Sequence, residues 1–185
     1  MAECTELVFE THSPTEDNER GVATGWSQGR LSGRGRALAL ELGERRRCDG
    51  VAAVFTSDLA RAVETATIAF ADTGVPVFHD WRLRECDYGD LNGAPAATVL
   101  ADRSAHLDAP YPHGESWHGA VARVTGFLDG FPARYQRRRV LLIGHVATRW
   151  ALDIALAGRQ LRDLVDEEFA WQPGWEYRLR HKTAR

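Results

Sequence analysis

Glu6-Leu7-Val8-Phe9-Glu10-Thr11-His12-Ser13-Pro14-Thr15-Glu16-Asp17-Asn18 is the stretch on which the reading of this chain turns. Leu7-Val8-Phe9 is a short apolar run, as a buried strand requires, and it leads to a histidine followed by turn formers. Pro14 lacks a ladder donor, and Ser13, Thr15, Asp17 and Asn18 favour turns, so the strand cannot run past this point. His12 is therefore expected at the carboxyl end of the first strand. In open α/β sheets that edge is where ligands bind.

Two further strands are expected to end in the same way. Val140-Leu141-Leu142-Ile143 is the most apolar run of the chain and stops at Gly144-His145. Val51 to Phe55 stops at Thr56-Ser57-Asp58, with Arg61 in the first turn of the helix that follows. If all three strands are parallel and central, two histidines and an arginine converge on one sheet edge. That set suits an anion such as phosphate, because arginine offers a fixed fork of donors to phosphate oxygens. One imidazole can then act as nucleophile while the other donates to the transferring group.

Between these strands the pattern alternates with helices. Residues 11–31 read as a long glycine-bearing loop, a length that is usually functional. Ser32 is an expected N-cap for a helix reaching Arg47, and Asp58 or Ser57 for one that stops at Gly74. Val75-Pro76-Val77-Phe78 reads as an edge strand because of its proline. A short helix is expected around 94–101 and a long one from Ser116 to about Arg137. Helices over 147–157 and 161–166 follow, then a hairpin of Phe169–Trp171 with Trp175–Leu179 around Pro173-Gly174. The alternation predicts one domain over residues 1–185, a three-layer α/β/α sandwich with a mostly parallel mixed sheet.

The totals agree with a single soluble domain: 185 residues suffice for one proper core and not for two. Net charge is -3, so no basic field recruits nucleic acid or anionic membrane. The runs Arg45-Arg46-Arg47 and Arg137-Arg138-Arg139 read as solvated helix ends. Cys4, Cys48 and Cys86 form neither a disulfide framework nor a zinc pattern, and the remaining histidines, His79, His106, His113, His118 and His181, carry no metal-ligand spacing. No signal peptide or membrane-length run is seen, which reads as cytoplasmic.

Six blocks, in order, resemble the histidine phosphatase superfamily, also called the phosphoglycerate mutase-like family. They are Thr11-His12-Ser13-Pro14-Thr15 with Asn18; Gly25-Trp26 through Leu31-Ser32-Gly33; Ser57-Asp58-Leu59-Ala60-Arg61-Ala62-Val63-Glu64-Thr65-Ala66; Leu83-Arg84-Glu85-Cys86-Asp87-Tyr88-Gly89-Asp90-Leu91-Asn92-Gly93; Gly114-Glu115-Ser116; and the strand ending at His145. The resemblance covers most of the chain. It implies a phosphomonoesterase working on a small soluble phosphate ester, with no cofactor and no metal. His12 would become the phosphohistidine, Arg61 and His145 would hold the phosphoryl group, and Glu85 would be general acid and then base. Thr11, Ser13, Thr15, Asn18 and Trp26 would contribute to substrate binding.

The chain departs from the family's Arg-His-Gly-Glu-Thr opening. Thr11 stands where the family has arginine, Ser13 where it has glycine and Pro14 where it has glutamate. Glu10 precedes the site, and Val146 follows the second histidine where many members have glycine. A lost arginine–phosphate contact is worth about 1.5–3 kcal/mol. Arg20 and Arg149 are the candidates to supply the missing cation. Two other readings stay open on this ground: acid–base chemistry by His12, His145 and Glu85 on a substrate without phosphate, and a catalytically silent binding protein.

Overall fold

The computed structural model describes residues 4–181. The elements run β1 (Cys4–Thr11), α1 (Glu16–Glu19), α2 (Gly33–Arg46), β2 (Val51–Thr56), α3 (Ala60–Ala69) and β3 (Val77–His79) in the first half. Then come α4 (Ala96–Asp102), α5 (Trp117–Asp129), β4 (Arg139–Gly144), α6 (Val146–Ala157), α7 (Leu161–Leu164) and β5 (Trp175–Arg180). The sheet order is β3-β2-β4-β1-β5. β4 lies parallel between β1 and β2, β3 is a parallel edge strand beside β2, and β5 closes the other edge antiparallel to β1.

Alternating side chains divide the core into two layers, as the period of a strand dictates. Val8, Val54, Leu141 and Ile143 pack with Leu42 of α2 and with Ala66 and Ala69 of α3. Leu7, Phe9, Phe55 and Leu142 face the other way, onto Val124 and Phe127 of α5 and Ala147 and Trp150 of α6. Burying each of the larger side chains stabilises by roughly 1.5–3 kcal/mol. The apolar runs that mark the strands thus also hold helices on both faces. This is the expected three-layer arrangement, a mixed five-stranded α/β sheet.

Register places the functional edge. Thr11 lies opposite Gly144, and Thr56 opposite Ile143, so β1, β4 and β2 end level with one another. The His12 N–H extends the ladder by one bond, donating to Gly144 O at 2.9 Å.

Several elements differ from the sequence expectation. The loop over 11–31 contains α1, capped reciprocally by Thr15 and Asn18. Neither Asp58 nor Ser57 caps α3, because Arg84 takes both Asp58 oxygens at 2.7 and 2.6 Å and Ser57 is bound to His145. That helix ends at Ala69, short of Gly74. Helix α5 stops at Asp129 and not near Arg137, since Gly130 follows and Pro132 cannot continue a helix. The expected final hairpin is absent: residues 169–171 form no strand, and the ladder groups of β5 pair with β1.

Arg45-Arg46-Arg47 does end α2, but its guanidinium groups are engaged by protein acceptors, and the run at 137–139 leads into a strand. Arg46 donates to Glu10 at 2.9 Å, to Asp49 at 2.9 Å and to Pro173 O at 3.0 Å, while Arg47 caps Ala69 O at 2.8 Å. Arg139 begins β4 and pairs with Glu6, Asp49 and Glu176. Among the described residues no helix is long and apolar enough to cross a membrane.

Candidate active site

A cavity of about 630 Å³ opens at the carboxyl edge of β1, β2 and β4, and His12, Arg61, Glu85 and His145 all line it. Thr11, Ser13 and Asn18 line it as well. Thr15 and Trp26 do not; Thr15 is bonded to Asn18, and Trp26 donates to the Glu85 carbonyl.

His12 is held by its own loop. Its Nδ1 lies 2.8 Å from Ser13 O. A carbonyl only accepts, so the proton sits on Nδ1 and the Nε2 lone pair is free. The imidazole pKa falls to about 3, through burial first and the Arg61 charge second, against the opposing Ser13 bond. The ring is therefore neutral at physiological pH. The Ser13 N–H donates to Thr65 Oγ1 at 3.0 Å, and the Thr65 hydroxyl donates to Arg61 O at 2.7 Å. The loop after the nucleophile candidate is thereby fastened to the turn that carries Arg61.

Arg61 is only 2% exposed and sits where a helix dipole disfavours a cation. Its Nη2 donates to Gly25 O at 2.8 Å and its Nη1 to Ser27 O at 3.3 Å. Gly25 has φ 51°, and a Cβ there would collide with Asn92 Oδ1, so the carbonyl that aims Arg61 depends on glycine. Burial lowers the Arg61 pKa while Glu85 raises it. No carboxylate pairs with this guanidinium among the described residues. An incoming anion would satisfy it.

His145 ends β4 and begins α6. Its ring centroid is 5.0 Å from that of His12, and its Nε2 lies 2.7 Å from Ser57 Oγ. Burial, then the charge of Arg61, holds its pKa well below the ordinary histidine value.

Glu85 is 8% exposed and reaches the first turn of α6. Its Oε1 accepts from Ala147 N at 3.1 Å and Cys86 N at 2.9 Å, and its Oε2 from Val146 N at 3.2 Å. The carboxylate thus occupies the positive end of the α6 dipole. The backbone of Glu85 is clamped too. Its carbonyl accepts from Trp26 Nε1 at 2.7 Å and from Arg123 Nη2 at 3.0 Å. Arg123 also binds Arg82 O, Arg84 O and both oxygens of Glu115, which in turn accepts from Asp87 N. Arg123 carried no sequence signal, being one arginine in an amphipathic helix. Ser57, Thr65 and Tyr88 lay inside recognised blocks without an assigned role.

The comparisons fit this geometry. The model of the histidine phosphatase superfamily (branch 1) matches residues 7–172. This chain belongs to that superfamily. A 2,3-bisphosphoglycerate-dependent phosphoglycerate mutase of Methylocella silvestris is 33% identical, the alignment covering 94% of this chain and 92% of the relative. YhfR of Bacillus stearothermophilus superposes with a TM-score of 0.81 at 28% identity, covering 91% of this chain and 88% of that one. A mycobacterial glucosyl-3-phosphoglycerate phosphatase, solved with VO3, superposes with a TM-score of 0.73 at 31% identity, covering 89% and 86%. The curated relative is a mutase and the mycobacterial neighbour a phosphatase, which with the family match supports an enzyme of the phosphatase kind.

Against the superfamily pattern, the departures acquire a location. Thr11 faces the cavity from the last β1–β4 pair. Arg20 and Arg149 do not line the cavity; Arg20 pairs with Asp17 and Arg149 with Asp153. Glu10 continues the parity of Val8 toward α2, where Arg46 and Arg45 hold its oxygens at 2.9 and 3.4 Å. Glu10 is itself part of the cavity lining, with its charge compensated by these two arginines. Asn18 Oδ1 accepts from Thr15 N at 3.0 Å, which leaves Nδ2 without a partner among the described residues.

Proposed function

We propose that this protein is a phosphomonoesterase that hydrolyses small phosphate esters through a phosphohistidine on His12. The observation that carries the reading is the tautomer of His12: Nδ1 is tied to Ser13 O, and a neutral ring leaves Nε2 free beside Arg61 and His145.

In the first step His12 Nε2 attacks phosphorus as the ester P–O bond breaks, and Glu85 gives a proton to the leaving oxygen. Arg61 and His145 neutralise charge on the equatorial oxygens. In the second step Glu85, now a carboxylate, takes a proton from water as that water attacks phosphorus. Inorganic phosphate leaves and neutral His12 is restored. Thr11 supports a second reading, acid–base chemistry on a substrate without phosphate, because it removes one phosphate-gripping charge.

A panel of phosphate esters assayed beside His12→Ala tests the proposal. The expected result is turnover by the wild type that His12→Ala abolishes. Full activity in His12→Ala would remove the phosphohistidine route, and activity confined to substrates without phosphate would favour the second reading.

A further inference from the structure

The same cavity has an apolar compartment lined by Val22, Ala23, Val99 and Leu100. Backbone bonds build this wall. Val22 bridges to Pro95, Ala96 N donates to Gly21 O at 2.7 Å, and Gly93 N donates to Ala23 O at 2.7 Å. Two polar groups interrupt the apolar lining, and both are under-used. Tyr88 is 8% exposed and lines the cavity, yet its hydroxyl has no hydrogen bond among the described residues. Arg103 donates one bond through Nη2, to Val165 O, and its guanidinium lies 5.1 Å from the Trp150 ring centroid. Among the described residues its Nε and Nη1 have no hydrogen-bond partner, and no carboxylate pairs with it.

A half-buried guanidinium with no paired carboxylate and a cavity-lining hydroxyl with no protein partner among the described residues leave donors that a ligand can engage. We infer that this compartment binds the alcohol portion of the substrate and selects a phosphate monoester with an apolar body that carries an anionic substituent. Arg103 pairs with that substituent and the Tyr88 hydroxyl donates to it. The inference rests on the phosphatase reading, since it treats the compartment as the leaving-group side of the site. Its logic is the asymmetry of polar recognition: a site built to pair a charge discriminates strongly against an analogue lacking it, whereas an apolar wall alone discriminates weakly.

Benzyl phosphate and 4-carboxybenzyl phosphate provide the test, because they differ in the charge and little in the acidity of the alcohol released. The wild type should favour the carboxylate ester in kcat/KM by roughly tenfold to hundredfold. In Arg103→Gln that ratio should fall to about one, Arg103→Lys should restore part of it, and Tyr88→Phe should lower it several-fold with the ring packing retained. Should Arg103→Gln fail to fold, Arg103→Lys and Tyr88→Phe carry the test. Hydrolysis of both esters with equal efficiency by the wild type would overturn this inference and leave the phosphatase reading standing. A preference that survives Arg103→Gln would also overturn it. No hydrolysis of either ester would overturn the phosphatase reading and this inference with it.

Discussion

Arg61 and His145 meet nitrogen to nitrogen: Nη2 of Arg61 stands 3.4 Å from Nδ1 of His145. A guanidinium only donates, so Nδ1 must be the acceptor and the His145 proton lies on Nε2, toward Ser57. His145 is therefore neutral beside a cation, a state that an arriving anion would change.

That arrangement predicts proton uptake on anion binding. Burial and Arg61 depress the His145 pKa in the free site. A bound dianion favours the imidazolium, so the pKa rises and a proton is taken from solvent. Titration calorimetry with tungstate, a dianion near neutral pH, in buffers of differing ionisation enthalpy should show net uptake. His145→Asn should remove it. Binding without proton exchange in the wild type would mean that His145 stays neutral in the complex.

Glu85 is predicted to matter most where the leaving group is poor. Glu85→Gln should cost about 10²–10⁴-fold with an alkyl phosphate and far less with an activated aryl phosphate. Equal losses on both would assign Glu85 to positioning, a role its three backbone N–H contacts could also serve.

Arg123 should act through Glu85. It touches the Glu85 carbonyl and neighbouring backbone, and its effects should share the leaving-group dependence of Glu85. Arg123→Gln should reduce turnover of the alkyl ester by about tenfold or more, and the loss should be non-additive with Glu85→Gln. Additive losses in the double variant would show that Arg123 supports the fold alone.

Much of this was legible in the sequence, for reasons that differ by element. Leu7-Val8-Phe9 and Val140 to Ile143 announced central strands because a strand covered on both faces needs an unbroken apolar run. His12 and His145 could be placed since each follows such a run after a residue or two. Arg61 came with its block, and an arginine in a first turn opposes the dipole. The end of α5 was read too far because Gly130 and Pro132 sit inside a stretch that remains apolar on one side. Trp175 to Leu179 was read as half of a hairpin because β1 and β5 are distant in sequence and nothing local marks an open edge. Arg123 and Arg103 were illegible for a like reason: their partners, Glu85 O and Val165 O, are backbone atoms of remote loops.

Thr11 offers a gain-of-function test. The cavity wall there lacks the superfamily's arginine, and neither Arg20 nor Arg149 lines the cavity in its place. Thr11→Arg should tighten inhibition by inorganic phosphate by roughly tenfold to hundredfold, the equivalent of about 1.5–3 kcal/mol. Glu10 should not oppose this, because Arg45 and Arg46 already compensate it. Tighter phosphate inhibition accompanied by loss of the native reaction would favour a substrate without phosphate. An unchanged inhibition constant would mean that residue 11 does not reach the phosphate.

The central claim is that His12 Nε2 carries the phosphoryl group. Its most direct test is a rapid alkaline, denaturing quench of the wild type during turnover of an ester labelled in the phosphoryl group, followed by peptide mapping. The account predicts label on His12, retained in base, lost in acid and absent from His12→Ala. Turnover of the same ester with no label on the chain, under conditions where the second step is slow enough to accumulate it, would contradict the account.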